Sequence, residues 1–217
     1  MRYYISDLHF YHVALNTGMD RRGFDSVEAM NTHMIEQWNG KVSDRDEVII
    51  LGDLSFGKGI ETNKIIDRLK GKLYLIEGNH DKRFLDDKEF DRSRFGWIRH
   101  YKELNDDHRK VVLCHYPIIC YNGQYRVDEN GDPKTYMLYG HVHDTQDQRL
   151  VERFQDITRA TPHPREKLNR NSPLSNGFLT TILKRSFHWM IFRFPIYRTV
   201  SGISTLSISY CTRLRCS

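Results

Sequence analysis

Five short apolar runs punctuate the first two thirds of the chain: Tyr3-Tyr4-Ile5, Val48-Ile49-Ile50-Leu51, Leu73-Tyr74-Leu75-Ile76, Val111-Val112-Leu113-Cys114 and Tyr136-Met137-Leu138-Tyr139. Each is as long as a strand and lacks the polar alternation of a strand with one wet face, which predicts strands buried on both sides. Between the first two runs the spacing changes. Val27, Met30, Met34 and Trp38 recur at three- and four-residue steps behind Ser26, which suits an N-cap, and Asn39-Gly40 suits a stop. A second helix is expected over about residues 61–70, with Ile65, Ile66 and Leu69 inward and Gly71 as its breaker. Asn105-Asp106-Asp107 and Glu129-Asn130-Gly131-Asp132 read as turns. Strands alternating with helices predict an α/β layered core.

The residues just beyond each run are more informative than the run itself. Tyr3 to Ile5 leads to Asp7-Leu8-His9, and Val48 to Leu51 leads to Gly52-Asp53. Leu73 to Ile76 leads to Gly78-Asn79-His80-Asp81, Val111 to Cys114 leads directly to His115, and Tyr136 to Tyr139 leads to Gly140-His141-Val142-His143. In an open α/β sheet the site lies beyond the carboxyl ends of the strands, where loops on a rigid base present their side chains. Five distant segments are therefore expected to deliver Asp, His and Asn to one edge. The glycines before Asp53, Asn79 and His141 suit sharp turns and close backbone approach.

Singly, most of these signals are ordinary: Asp-x-His and Gly-Asp are common in loops, and a lone His115 reads first as a core histidine. Gly-Asn-His-Asp is rarer, arising by chance in on the order of one chain in 10³ of this length. The joint occurrence, each motif at a strand end, is what points to a shared site. Carboxylate, imidazole and amide oxygen without thiolate form a hard-to-borderline donor set, suited to Mn, Fe, Zn, Co or Ni.

The ordered set Asp-x-His, Gly-Asp, Gly-Asn-His-Asp, His and Gly-His-x-His resembles the calcineurin-like metallophosphoesterase superfamily, in particular its small single-domain members from bacteria and phages. The resemblance spans Asp7 to His143. It implies a four-layer αββα sandwich of two mixed sheets flanked by helices, here open to being incomplete at the C-terminus. It implies that Asp7, His9 and His143 hold one metal ion, that Asn79, His115 and His141 hold another, and that Asp53 bridges them. Two divalent or trivalent ions about 3.5–4 Å apart can share a hydroxide nucleophile and draw charge from phosphoryl oxygens. By the same resemblance His80 faces the leaving group as proton donor, and Asp81 is expected to orient its imidazole. The implied reaction is hydrolysis of a phosphate mono- or diester, with a small phosphoester or nucleotide as substrate. The alternatives are a nuclease of the same superfamily and a non-catalytic protein-binding scaffold. His12 is a candidate for lining the pocket and Arg83 for touching substrate phosphate. His33, His100, His108, His163 and His188 read as surface or packing residues.

Composition then divides the chain. Of 217 residues, 39% are hydrophobic and 28% charged, ordinary for a globular protein. The net charge of +5 averages two unlike parts. Residues 1–166, read as the metallophosphoesterase domain, hold 25 Lys and Arg against 28 Asp and Glu. Residues 167–217 hold 8 basic residues and no acidic one, an atypical tail that is either a non-native ending or a basic appendage for nucleic acid or a partner. The acidic body offers no basic groove for a nuclease, so nucleic acid is the less favoured substrate. No uncharged apolar run approaches the roughly 20 residues of a membrane helix. A candidate ligand already stands at position 7, leaving no room for a leader, so no membrane association and a cytoplasmic location are expected. Cys114, Cys120, Cys211 and Cys216 lack zinc-finger spacing and read as free thiols.

Overall fold

The computed structural model describes residues 1–160, apart from residues 19, 21 and 144, together with residues 192–193. Residues 161–191 and 194–217, which include His163, His188, Cys211 and Cys216, lie outside the described residues. The elements run β1 (Arg2–Ile5), α1 (Val13–Thr17), α2 (Val27–Lys41), β2 (Glu47–Ile50), α3 (Gly59–Ile66), β3 (Lys72–Ile76) and α4 (Lys82–Leu85). They continue with β4 (Phe95–Arg99), β5 (Tyr101–Asp106), β6 (Arg109–Cys114), β7 (Thr135–Leu138), α5 (Gln146–Ala160) and β8 (Phe192–Arg193). All five apolar runs form strands: β1, β2, β3, β6 and β7. Their neighbours arrange them in two sheets, one ordered β4-β3-β2-β1-β8 and the other β5-β6-β7. Strands β1 to β4 pair in parallel, and β8 closes that sheet antiparallel to β1. In the second sheet β5 is antiparallel to β6, and β6 is parallel to β7.

Alternation along each strand explains why these runs show no polar face. Successive side chains of a strand point to opposite sides. Ile5, Val48, Ile50, Leu73 and Leu75 meet Met30, Met34, Ile35 and Trp38 of α2 and Ile65 and Ile66 of α3 in one core. Their neighbours Tyr4, Ile49, Leu51 and Ile76 face the other way, against Val111, Leu113 and Leu138 of the second sheet. Val112, Met137 and Tyr139 then point outward, and Val151 of α5 packs over them. Helices, sheet, sheet and helix thus stack as four layers, an α/β sandwich in which β1, β2, β3, β6 and β7 carry most of the buried positions. Each fully buried Leu, Ile or Val side chain stabilises this stack by about 1.5–3 kcal/mol.

Several boundaries differ from the sequence reading. Ser26 does cap α2, its hydroxyl accepting from Ala29 N at 3.0 Å. The helix nevertheless passes through Asn39-Gly40 to Lys41. The Asn39 side chain, instead of ending the helix, donates to Arg68 O and accepts from Lys70 N, at 2.8 and 2.9 Å. Helix α3 starts earlier than expected, at Gly59, and ends at Ile66. The predicted turn at residues 105–107 shifts along the chain: Asn105 and Asp106 pair with Lys110 and Arg109 in the β5–β6 hairpin. Asp107 and His108 make the turn, with φ of 47° and 62°, as a two-residue hairpin loop requires. Cys114 is half-buried and Cys120 exposed, both free. No helix among the described residues is long and apolar enough to cross a membrane.

Candidate metal centre

Every predicted ligand lies beyond the carboxyl end of a strand, and the loops carrying them are stitched to one another. Asp7 N donates to Gly52 O at 3.0 Å and His9 N to Asp53 O at 2.9 Å, which continues the β1–β2 pairing beyond the sheet. Gly140 N donates to His115 O at 2.9 Å, and His141 N reaches Asp7 Oδ1 at 3.1 Å across the two sheets. His80 N donates to Asp53 Oδ1 at 3.0 Å. Backbone strain concentrates here. Asp7, His9, Asp53, His141 and His143 all adopt left-handed backbone, with φ of 54°, 50°, 55°, 71° and 44°. Such a conformation costs a non-glycine residue on the order of 1–3 kcal/mol and persists only where its surroundings enforce it. Gly52 and Gly78 make the crossing possible. A Cβ at Gly52, whose φ is +93°, would overlap the His115 ring, and one at Gly78 would overlap Asp53.

The side chains converge in two groups. One holds Asp7, His9 and His143 and the other Asp53, His115 and His141, with the donor atoms of each group all within 4.8 Å of one another. Asp53 Oδ2 stands between the groups, 3.7 Å from His9 Nε2 and 3.4 Å from His115 Nε2. Asn79 Oδ1 completes the second, 3.0 Å from His115 Nε2 and 2.9 Å from His141 Nδ1. His115 Nδ1–H donates to the Leu51 carbonyl at 2.7 Å, which keeps the proton on Nδ1 and turns the Nε2 lone pair toward the centre.

The electrostatics are those of crowded donors. Burial, reinforced by the neighbouring His143, holds His9 near a pKa of about 2 and therefore neutral, as a metal ligand must be. Burial also lowers His141 and raises the Asp7 carboxyl. Burial opposes charge on Asp53 too, but its bond to His115 and that ring's charge outweigh it and bring the carboxyl to about 2. His115 moves up in return: burial pulls it down, and the Asp53 carboxylate more than compensates. A buried carboxylate (Asp53) and a half-buried one (Asp7) among four imidazoles and an amide oxygen, with no thiolate, fit a pair of borderline cations.

Asp81 has a different place from the one expected. It is fully buried, and its carboxylate accepts from Gly78 N at 2.8 Å, Asp53 N at 3.0 Å and Leu54 N at 2.8 Å. Both oxygens are thus committed to backbone, so Asp81 clasps the Asp53 and Asn79 loops together and does not orient the His80 ring. Burial, with the nearby Asp53 charge, raises its carboxyl to about 7 even though the three N–H bonds favour the carboxylate. The exposed His80 ring lies against Phe56 instead, with centroids 4.6 Å apart, and 5.8 Å from the His9 ring. His12 borders the same corner, 3.8 Å from Phe56 and 5.6 Å from His9. Arg83 is exposed in α4.

The family model for the calcineurin-like phosphoesterase superfamily domain matches residues 2–159. The chain belongs to that superfamily. Its relatives include an uncharacterised protein of Methanocaldococcus jannaschii, 32% identical over 143 residues, covering 65% of this chain and 68% of the relative. Gene 66 protein of Mycobacterium phage D29 is 29% identical over 164 residues, covering 65% of this chain and 77% of the phage protein. Among solved structures, a protein of unknown function from Aquifex aeolicus superposes with a TM-score of 0.51 at 24% identity, covering 71% of this chain and 86% of that one. That likeness shows the fold.

Around the two donor groups stand residues the sequence did not single out. Asp20 and Arg22 lie in the segment between α1 and α2, and Asp20 Oδ1 is 3.1 Å from His143 Nδ1. Tyr116, exposed, sets its ring 4.5 Å from that of His141. Nothing in the local pattern marks Asp20, which stands after no strand and belongs to no spacing. Tyr116 could have been flagged as an aromatic residue directly after His115.

Proposed function

We propose that the chain hydrolyses a phosphate mono- or diester with two bound metal ions, acting on a small phosphoester or nucleotide. One observation carries the reading: Asp53 Oδ2 is shared, at 3.7 and 3.4 Å, between a histidine of each donor group. On this reading Asp7, His9 and His143 hold one ion, Asn79, His115 and His141 the other, and Asp53 bridges. Such ions supply Lewis acidity, bringing the pKa of water toward neutrality and taking up charge from phosphoryl oxygens.

The chain's own residues supply the rest. The left-handed loops fix the donors before substrate arrives, so little reorganisation is needed when charge develops. His80, tied through its backbone N–H to Asp53 but with its ring exposed beside the donors, serves as general acid to the departing oxygen. Phe56 borders the first donor group and Tyr116 the second. These two aromatic surfaces suit an aryl or nucleoside ester, whose flat group can stack beside the centre.

Hydrolysis of p-nitrophenyl phosphate and of its bis ester by the manganese-loaded protein tests the reading. Turnover of at least one, abolished by chelation and restored by metal, is expected. A folded protein that binds metal and hydrolyses neither would favour the scaffold reading.

A further inference from the structure

We infer that Asp20, braced by Arg22, is a positioning residue that sets the tautomer of His143 and so prepares one of the two metal positions. The inference rests on the reading of His143 as a ligand. Asp20 Oδ1 faces His143 Nδ1 at 3.1 Å. A carboxylate oxygen accepts only, so the imidazole proton is drawn to Nδ1 and the Nε2 lone pair is left toward Asp7 and His9. His143 Nε2 lies 3.6 Å from Asp7 Oδ1 and 3.1 Å from His9 Nε2, within the donor group. In the other group the Leu51 carbonyl does the same for His115.

Arg22 fixes Asp20 in turn. Its side chain is only 8% exposed, and Nε and Nη2 both reach Asp20 Oδ2, at 3.2 and 3.0 Å. The same guanidinium donates to the carbonyl oxygens of Leu8 and Asp7, at 2.9 and 3.1 Å. One arginine therefore ties the carboxylate behind His143 to the turn that carries Asp7 and His9. The fork geometry of arginine is what allows a single side chain to hold both Asp20 and the Asp7–His9 turn, while Asp20 itself reaches the distant His143.

The arrangement makes an unusual ranking of variants. In Asp20→Asn, the two Arg22 donors hold the amide oxygen at the Oδ2 position, which turns the NH2 group toward His143 Nδ1. That group donates, so it draws the lone pair to Nδ1 and puts the proton on Nε2, the atom that must bind metal. Asp20→Ala leaves the tautomer free. The isosteric variant is therefore the more harmful one, the reverse of what a packing role would give.

Cobalt(II) titration of the metal-free protein, read by calorimetry and visible absorption, tests this. The unsubstituted protein is expected to take two ions. In Asp20→Asn one ion binds about 100-fold more weakly, in Asp20→Ala about 10-fold, and the other ion is unchanged in both. Thermal melting of the metal-free variants checks that they fold, and if Asp20→Asn does not, the loss at one ion in Asp20→Ala carries the test. Two ions bound at unchanged affinity by a folded variant, or an Asp20→Ala protein weaker than Asp20→Asn, would overturn the role of Asp20 and leave the metal centre standing. No cobalt bound by the unsubstituted protein would remove the metal centre, and the inference with it.

Discussion

His9 Nε2 lies 3.1 Å from His143 Nε2, although 134 residues separate them. With the His143 proton drawn to Asp20, a metal-free site can satisfy this pair only by a single proton, donated from His9. A cation accepts both Nε2 lone pairs instead. Ion binding should therefore stabilise the fold. At metal concentrations of 100 times Kd the gain is about 2.7 kcal/mol per ion, or on the order of 5–10 °C in melting temperature for a chain of this size. Differential scanning with manganese and then with excess chelator measures it, and coincident melting curves would contradict it.

His80 separates chemistry from binding. Asn at this position should lower kcat by about 10²–10⁴-fold while metal stoichiometry stays at the unsubstituted value. Parallel turnover and metal analysis decide this, and lost metal would make His80 a ligand.

Asp81 tests the clasp. Asp81→Ala leaves three buried N–H groups without an acceptor, at about 1–3 kcal/mol each. Urea denaturation should show a loss of at least about 3 kcal/mol. Unchanged stability with reduced kcat would return Asp81 to the role of orienting His80.

Two glycines give opposite signs. A Cβ at Gly78 would press into Asp53, so Gly78→Ala should destabilise by about 1–3 kcal/mol and impair metal uptake. Gly40 lies inside α2, and a Cβ there meets nothing within 4 Å. Gly40→Ala should stabilise by up to about 1 kcal/mol with metal uptake unchanged. Paired denaturation curves and metal titrations read both.

The strands that carry the donors were legible because burial on both faces leaves an uninterrupted apolar run, as in Val48 to Leu51. Strand β5 was not, since Tyr101–Asp106 interleaves charge and amide with few apolar residues, and β4 has only Phe95, Trp97 and Ile98 to announce it. The convergence of the donors was legible from their order and their place after each run. Asp81 was misread because the sequence shows its neighbour, His80, and not the three amides that fold toward it from two loops. Asp20 escaped for the same reason: its meaning comes from His143, which only the fold brings near.

The most direct test is the number of metal ions held by the folded, unsubstituted chain, measured by elemental analysis after manganese loading and removal of free ion. Two ions per chain are predicted, falling when Asp53 becomes Asn. A well-folded sample that holds none, or holds one that is indifferent to Asp53, would contradict the account.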